Sequence, residues 1–265
     1  MSLSIGLEAL NKGYVVEGSF ESNYADFMES YTKVQDAAQQ GLDLFTALEN
    51  LTAINKTVKR FGFTKSMESL IGHQLGTTRA SVEEETAKVS RTVWEKIIDW
   101  FKKMWRYVKD FFAKLANTRR GIMLKLKDIK AGKYSVKDAN KSFEGWSEGQ
   151  LKMAAVNIKA ASASSEKLKS IPELTSQKLT DGQITSYATT CLAALEGMDA
   201  AEKTLLAEIN KGLKVAQTGL GNPDADIDAA RELKNSSAGI VNDVSKCVAL
   251  AFRCAKNFVK YVKKG

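Results

Sequence analysis

Proline and histidine are almost missing from this chain: its 265 residues hold Pro172, Pro223 and one histidine, His73. With so little proline and abundant Ala, Lys, Leu and Glu, long uninterrupted helices are expected. A single histidine excludes multi-histidine zinc sites and leaves one candidate base for any triad. It lies in IGHQLG, which carries no catalytic signature, and reads as an incidental residue. Cysteine is scarce as well. Cys191, Cys247 and Cys254 do not make a disulfide framework, because Cys247 and Cys254, seven apart on one helix, are separated by about 10 Å along its axis. All three sit among apolar neighbours and read as free buried thiols in a reducing compartment. No apolar run approaches the roughly 18 residues of a spanning helix. Residues 1–20 lack the basic start and continuous apolar core of a secretory signal.

What the chain does have is focused positive charge. The net charge is +8, yet eleven Lys or Arg residues lie between Trp100 and Lys133 against only Asp110 and Asp128. The remainder is close to neutral. A second basic run, Arg253, Lys256, Lys260, Lys263 and Lys264, has no acid among it. Charge concentrated in this way suits an anionic partner, nucleic acid or a lipid surface; a solvated helix face is the plainer alternative.

The first basic tract overlaps the most two-faced segment of the sequence, Val93 to Leu115. At 100° per residue, Trp94, Ile97, Ile98, Phe101, Met104, Trp105, Val108, Phe111, Phe112 and Leu115 share one arc, with Trp100 at its margin. Glu95, Lys96, Asp99, Lys102, Lys103, Arg106, Lys109 and Asp110 fill the other. The apolar arc suits a protein core, a partner's groove or a membrane surface. Helical partners for it are available in residues 22–75, which favours the core. The cationic arc and its continuation, Lys102, Lys103, Arg106, Lys109, Lys114, Arg119, Arg120, Lys125, Lys127 and Lys130, are candidate phosphate contacts without any base-reading motif.

Spacing of apolar residues at three and four dominates throughout, and period-two alternation is nearly absent. The pattern predicts a short helix at Leu3–Asn11, a break at Tyr14–Gly18, and a helix over about Ser22–Arg60 that bends at Gly41. Leu44, Leu48, Leu51, Ile54 and Val58 are its core positions. A turn at Phe61–Ser66 and a short helix at Met67–Leu75 follow. Ser81-Val82-Glu83-Glu84 reads as a capping box that starts the central helix. That helix reaches about Asn117, with a basic extension ending at Gly132 and a connector from Lys133 to Gly145. Ser147-x-x-Gln150 and Thr180-x-x-Gln183 start two more helices. The second carries Ile184, Tyr187, Cys191, Leu195, Met198, Leu205 and Ile209 inward and stops at the GLG of Gly219–Gly221. Asn222 and Pro223 open the last helix, whose stripe is Ile240, Val241, Val244, Val248, Ala251, Ala255, Val259 and Val262.

The expected fold is therefore all-α. It is an elongated multi-helix bundle with long amphipathic helices and a C-terminal antiparallel three-helix unit. The expected division is an N-terminal helical lobe, residues 1–133, and a C-terminal bundle, residues 134–265.

Catalytic chemistry finds no support. Asn222–Asp228, NPDADID, lacks the glycine and glutamate of a calcium loop. GLG does not follow a strand and has no phosphate-loop lysine. No catalytic residue, metal ligand or cofactor is assigned, and no small-molecule substrate is expected.

Several elements in order resemble internal head proteins of large tailed bacteriophages, which are packaged beside the genome. They are SIGLEAL (Ser4–Leu10), ALENL (Ala47–Leu51), RFGFTKSMESLIG (Arg60–Gly72) and a capped helix rich in Trp and Lys, together covering roughly residues 1–133. The resemblance implies a non-enzymatic virion protein inside the capsid, contacting phage DNA or other virion proteins, with ejection into the host. It also implies trimming after glutamate, for which Glu17, Glu49 and Glu68 are candidates, although Ala194-Leu195-Glu196 matches the same short pattern. The alternative is a membrane-active or host-protein-binding helical effector. A virion interior, or the host cytoplasm during assembly or after ejection, is the expected location.

Overall fold

The computed structural model describes residues 17–61, 79–136, 142–160, 172–221 and 233–264, and these are mostly helical, with four three-residue strands and short connectors. In chain order the elements are α1 (Glu17–Phe61), α2 (Arg79–Lys130), β1 (Tyr134–Val136), β2 (Phe143–Gly145), α3 (Glu148–Ala160), β3 (Thr175–Gln177) and α4 (Asp181–Gly221). A π-helical turn, Lys234–Gly239, then runs directly into α5 (Ile240–Tyr261), and β4 (Val262–Lys264) follows. The protein is an all-α multi-helix bundle.

Helix ends obey the local chemistry of the sequence. At α3 the Ser147 Oγ accepts from the Gln150 amide at 3.3 Å, while Gln150 Oε1 accepts from the Ser147 amide at 2.9 Å. At α4 Gln183 Oε1 takes the Thr180 amide at 3.0 Å. The α3 start is thus a closed capping box, while at α4 only the glutamine half forms and the Gln183 amide bonds the Thr180 carbonyl at 2.9 Å. Helix α2 ends as anticipated at Gly132, whose φ of 78° permits a left-handed cap. The Lys133 amide reaches the Asp128 carbonyl at 3.0 Å and the Gly132 amide reaches that of Ile129 at 3.0 Å, a Schellman motif.

Several boundaries differ from expectation. Helix α1 begins at Glu17, so Glu17 and Gly18 belong to the helix rather than to a break, and it continues through Gly41. Helix α2 begins at Arg79, which puts Ser81 inside its first turn. It runs unbroken for 52 residues, merging the central helix and its basic extension. Strands β1 and β2 lie in the stretch read as a connector, too short for alternation to register. Val262 leaves the helical stripe for β4. The expected features at Leu3–Asn11, Phe61–Ser66, Met67–Leu75, His73 and Asn222–Asp228 lie outside the described residues, Phe61 itself excepted, which ends α1.

The chain groups into two compact units, each containing lengths of the same long helices. One comprises described residues of Met1–Gln35, Tyr107–Leu205 and Asn242–Gly265; the other comprises those of Asp36–Arg106 and Leu206–Val241. The 133/134 division expected from sequence falls between the cap of α2 and β1. Units assembled from parts of several helices cannot be separated by one cut in the chain.

In the first unit the core is aromatic. The ring centroid of Phe27 lies 5.3 Å from that of Phe111 and 5.0 Å from that of Phe252. Phe143 of β2 meets Tyr187, Phe258 and Tyr261 at 5.1–5.7 Å. In the second unit Phe45 packs edge-on against Trp100, with centroids 5.4 Å apart. Every inward residue expected on α4 is buried. On α1, Leu48 is buried but Leu44 and Leu51 are only half-buried; Phe27, Val34, Ala37, Ala38 and Phe45 complete its buried face.

Candidate nucleic-acid interface

The apolar arc of α2 is core. Trp94, Ile97, Ile98, Phe101, Met104, Val108, Phe111, Phe112 and Leu115 are all buried. Two tryptophans depart from expectation: Trp100, placed at the margin of the arc, is buried, and Trp105, placed on the arc, is only half-buried. Trp100 gains its place from α1, where Gly41 leaves room for the indole and the Ala37 carbonyl accepts from Nε1 at 2.5 Å. Partners also come from beyond residues 22–75, since Trp94 and Phe101 lie against Gly219 and Gly212 of α4. Among the described residues no helix is long and apolar enough to cross a membrane.

With the aromatic face inside, the opposite face of α2 is the candidate surface. The structure sorts its ten basic residues by what already holds them. In the second unit, Lys102 is exposed and lies 3.5 Å from Asp99, Lys103 is half-buried, and Arg106 is exposed. In the first unit, Lys114 lies 3.2 Å from Asp110. Arg119 is 14% exposed; its guanidinium donates to the Leu195 carbonyl at 3.1 Å and to Asp199 at 2.7 Å. Lys109, Arg120, Lys125, Lys127 and Lys130 are exposed. Among the described residues, Arg106, Arg120, Lys127 and Lys130 have no carboxylate partner. On the helical wheel Lys109, Arg120 and Lys127 fall on one line, about 27 Å long.

The second basic tract divides similarly. Arg253 pairs with Glu144 at 2.7 Å, and Lys256 is buried with its ammonium 3.0 Å from the centre of the Tyr24 ring. These two are structural. Beyond Lys260, β4 pairs antiparallel with β1 in the register Tyr134↔Lys264 and Ser135↔Lys263. The ladder brings the end of the second tract beside the end of the first, next to Lys133 and one turn of chain from Lys130. Sequence showed two separate basic runs; their meeting depends on a three-residue strand pair that carries no signal of its own.

Of the processing candidates, Glu17 opens α1 and Glu68 lies outside the described residues. Glu49 is inside α1, half-buried, with its carboxylate 3.2 Å from Lys234. Among the described residues, no group of three or more His, Cys, Asp or Glu is placed to hold a metal ion.

Fold and surface define an all-α helical protein with a cationic face. A scan against protein-family models and searches of curated proteins and of solved structures give no match to this chain.

Proposed function

We propose that this is a non-enzymatic helical protein that associates with nucleic acid through phosphate contacts, as an internal head protein of a tailed bacteriophage packaged with its genome. The supporting observation is the row Lys109, Arg120 and Lys127 on the exposed side of α2, extended through Lys130 and Lys133 to the β1–β4 ladder. Such a row can neutralise phosphates, and no base-reading motif accompanies it in the sequence. The phage assignment rests on the resemblance of residues 1–133, and it names DNA and neighbouring virion proteins as partners inside the capsid.

Affinity for duplex DNA of arbitrary sequence, measured across a salt series, tests the first half of this reading. A slope of log affinity against log salt of about −0.9 per phosphate contact is expected, steepened by each exposed cation engaged. Binding without a salt slope would reduce the basic face to a solvated surface. Mass spectrometry of purified virions tests the second half, and absence of the protein there would remove it. The nucleic-acid reading is preferred to the membrane-active alternative because Trp94 and Trp100, two of the three tryptophans that suggested it, are buried.

A further inference from the structure

The three cations of the row on α2 are unevenly spaced. Lys109 and Arg120 are eleven residues apart and Arg120 and Lys127 seven, all within one unbroken α-helix and one compact unit. At a rise of about 1.5 Å per residue, the two gaps are about 16.5 and 10.5 Å. They differ by about 6 Å, and so do the grooves of B-form DNA, which are about 12 Å wide for the major and 6 Å for the minor. Each gap thus exceeds one groove by the same amount, about 4.5 Å, which accommodates the phosphates on the two rims.

The side chains between the cations agree with such a fit. Ala113 and Ala116 are exposed and lie within about 40° of the line, so nothing long projects between Lys109 and Arg120. Leu124 stands between Arg120 and Lys127 and is 48% exposed. Two carboxylates occur in this stretch, Asp110 and Asp128. They fall about 100° round the helix from Lys109 and Lys127, and Asp110 lies 3.2 Å from Lys114. Lys109, Ala113, Ala116, Arg120, Leu124 and Lys127 include no aromatic ring on which the bases of a single strand would stack.

Given that this face binds nucleic acid, we propose that its row is matched to the shape of the B-form duplex. Lys109 and Arg120 contact the two backbones that flank the major groove, and Arg120 and Lys127 contact those that flank the minor groove. Helix α2 then crosses both grooves, with Arg120 on the backbone they share. The short side chains of Ala113 and Ala116 let the helix lie low over the wider groove. Leu124 faces the narrower one, where minor-groove proteins place apolar side chains. The long, flexible stems of lysine and arginine take up the curvature of the duplex. A-form RNA offers a different sequence of spacings, because its major groove is deep and narrow and its minor groove wide and shallow. A single strand has no second backbone to set any spacing.

The test measures binding of the full chain to a short DNA duplex of arbitrary sequence, an RNA duplex and single-stranded DNA of the same length, each across a salt series. The DNA duplex should bind about tenfold tighter than either, the worth of one charge-assisted contact. Combining Arg120→Ala with Leu124→Arg keeps the net charge but resets the gaps to about 22.5 and 4.5 Å. Binding of the DNA duplex should then fall about tenfold, with binding of the other two probes unchanged. Lys203→Ala, which removes an exposed lysine of α4, should leave the preference for the DNA duplex as it was. Equal affinity for all three probes overturns the proposal, as does undiminished duplex binding after the cation is moved; either result with a salt slope intact leaves the general phosphate-binding surface standing. A flat salt response on every probe removes that surface and the proposal together. The comparison of probes on the unsubstituted chain needs no variant to fold.

Discussion

Gly219 of α4 and the indole of Trp94 on α2 occupy adjoining space with nothing to spare: a methyl group on Gly219 would lie 2.6 Å from Cζ2 of the ring. Seven residues earlier on α4, Gly212 faces Phe101, which is seven residues later on α2. In the second unit the two helices are therefore antiparallel with a heptad spacing, and twice an aromatic knob fills the hole left by a glycine.

Gly219→Ala should cost about 1–3 kcal/mol through overpacking, read as a lowered denaturant midpoint at unchanged slope. Gly182→Ala is the control. Gly182 is exposed near the start of the same helix, and a methyl group added there would meet nothing within 4 Å. At that position the substitution should be neutral or stabilising by about 0.4–1 kcal/mol.

Neighbouring arginines on α2 should separate structure from binding. Arg119→Ala removes a mostly buried stem and two hydrogen bonds, one to a carboxylate that is 64% exposed. Solvent screening of that carboxylate holds the loss to about 1–2 kcal/mol. Arg120→Ala should change stability by less than about 0.5 kcal/mol, yet lower the salt slope of DNA binding by about one unit. Equal effects of the two on both measurements would contradict the sorting of this face.

Glu148 links α3 to α4, accepting from Lys152 at 2.8 Å and from the Ser186 hydroxyl at 2.5 Å. The Lys152 hydrogen bond first and the Ser186 bond second hold its carboxyl below the ordinary 4.5. A carboxyl depressed in the folded state contributes stability above its unfolded value and loses it as pH falls through the folded one. Glu148→Gln should therefore lower the melting midpoint at pH near 7, and the difference should close on acidification below 4.5. A gap that persists in acid would show that the carboxylate charge is not what matters.

Tryptophan emission checks the burial of the aromatic arc. Trp94, Trp100 and Trp146 are buried in the folded chain, so anionic vesicles should leave the emission maximum and acrylamide quenching unchanged. A blue shift accompanied by flotation with the vesicles would reinstate a membrane role for α2.

Residue patterns made much of this legible. Periodicity exposed the inward faces of α2 and α4, and Ser147-x-x-Gln150 and Thr180-x-x-Gln183 marked helix starts to the residue. Glycine was harder to interpret. Gly41 looked like a bend, because a sequence shows the missing side chain but not the indole that fills its place; the GLG of Gly219–Gly221 does end α4, but its second role, making room for Trp94, was equally hidden. The basic tract was visible as charge, whereas the withdrawal of Arg119 into a bond with Asp199 depended on a partner 80 residues away. Likewise Tyr187 and Cys254 carry no local motif; only the packing of α4 against α5 brings hydroxyl and thiol within 3.1 Å.

The contact between α1 and α5 has a consequence for how the chain is made. Gln35 donates to Ser245 Oγ across 210 residues of sequence, and Phe27 needs Phe252 to cover it. At ribosomal speeds of about 5–20 residues per second, roughly 10–40 s pass between synthesis of one partner and the other. During that interval the nascent chain carries an uncovered aromatic surface on α1, so chaperone capture during translation, rather than the speed of the final fold, is expected to govern the yield of soluble protein.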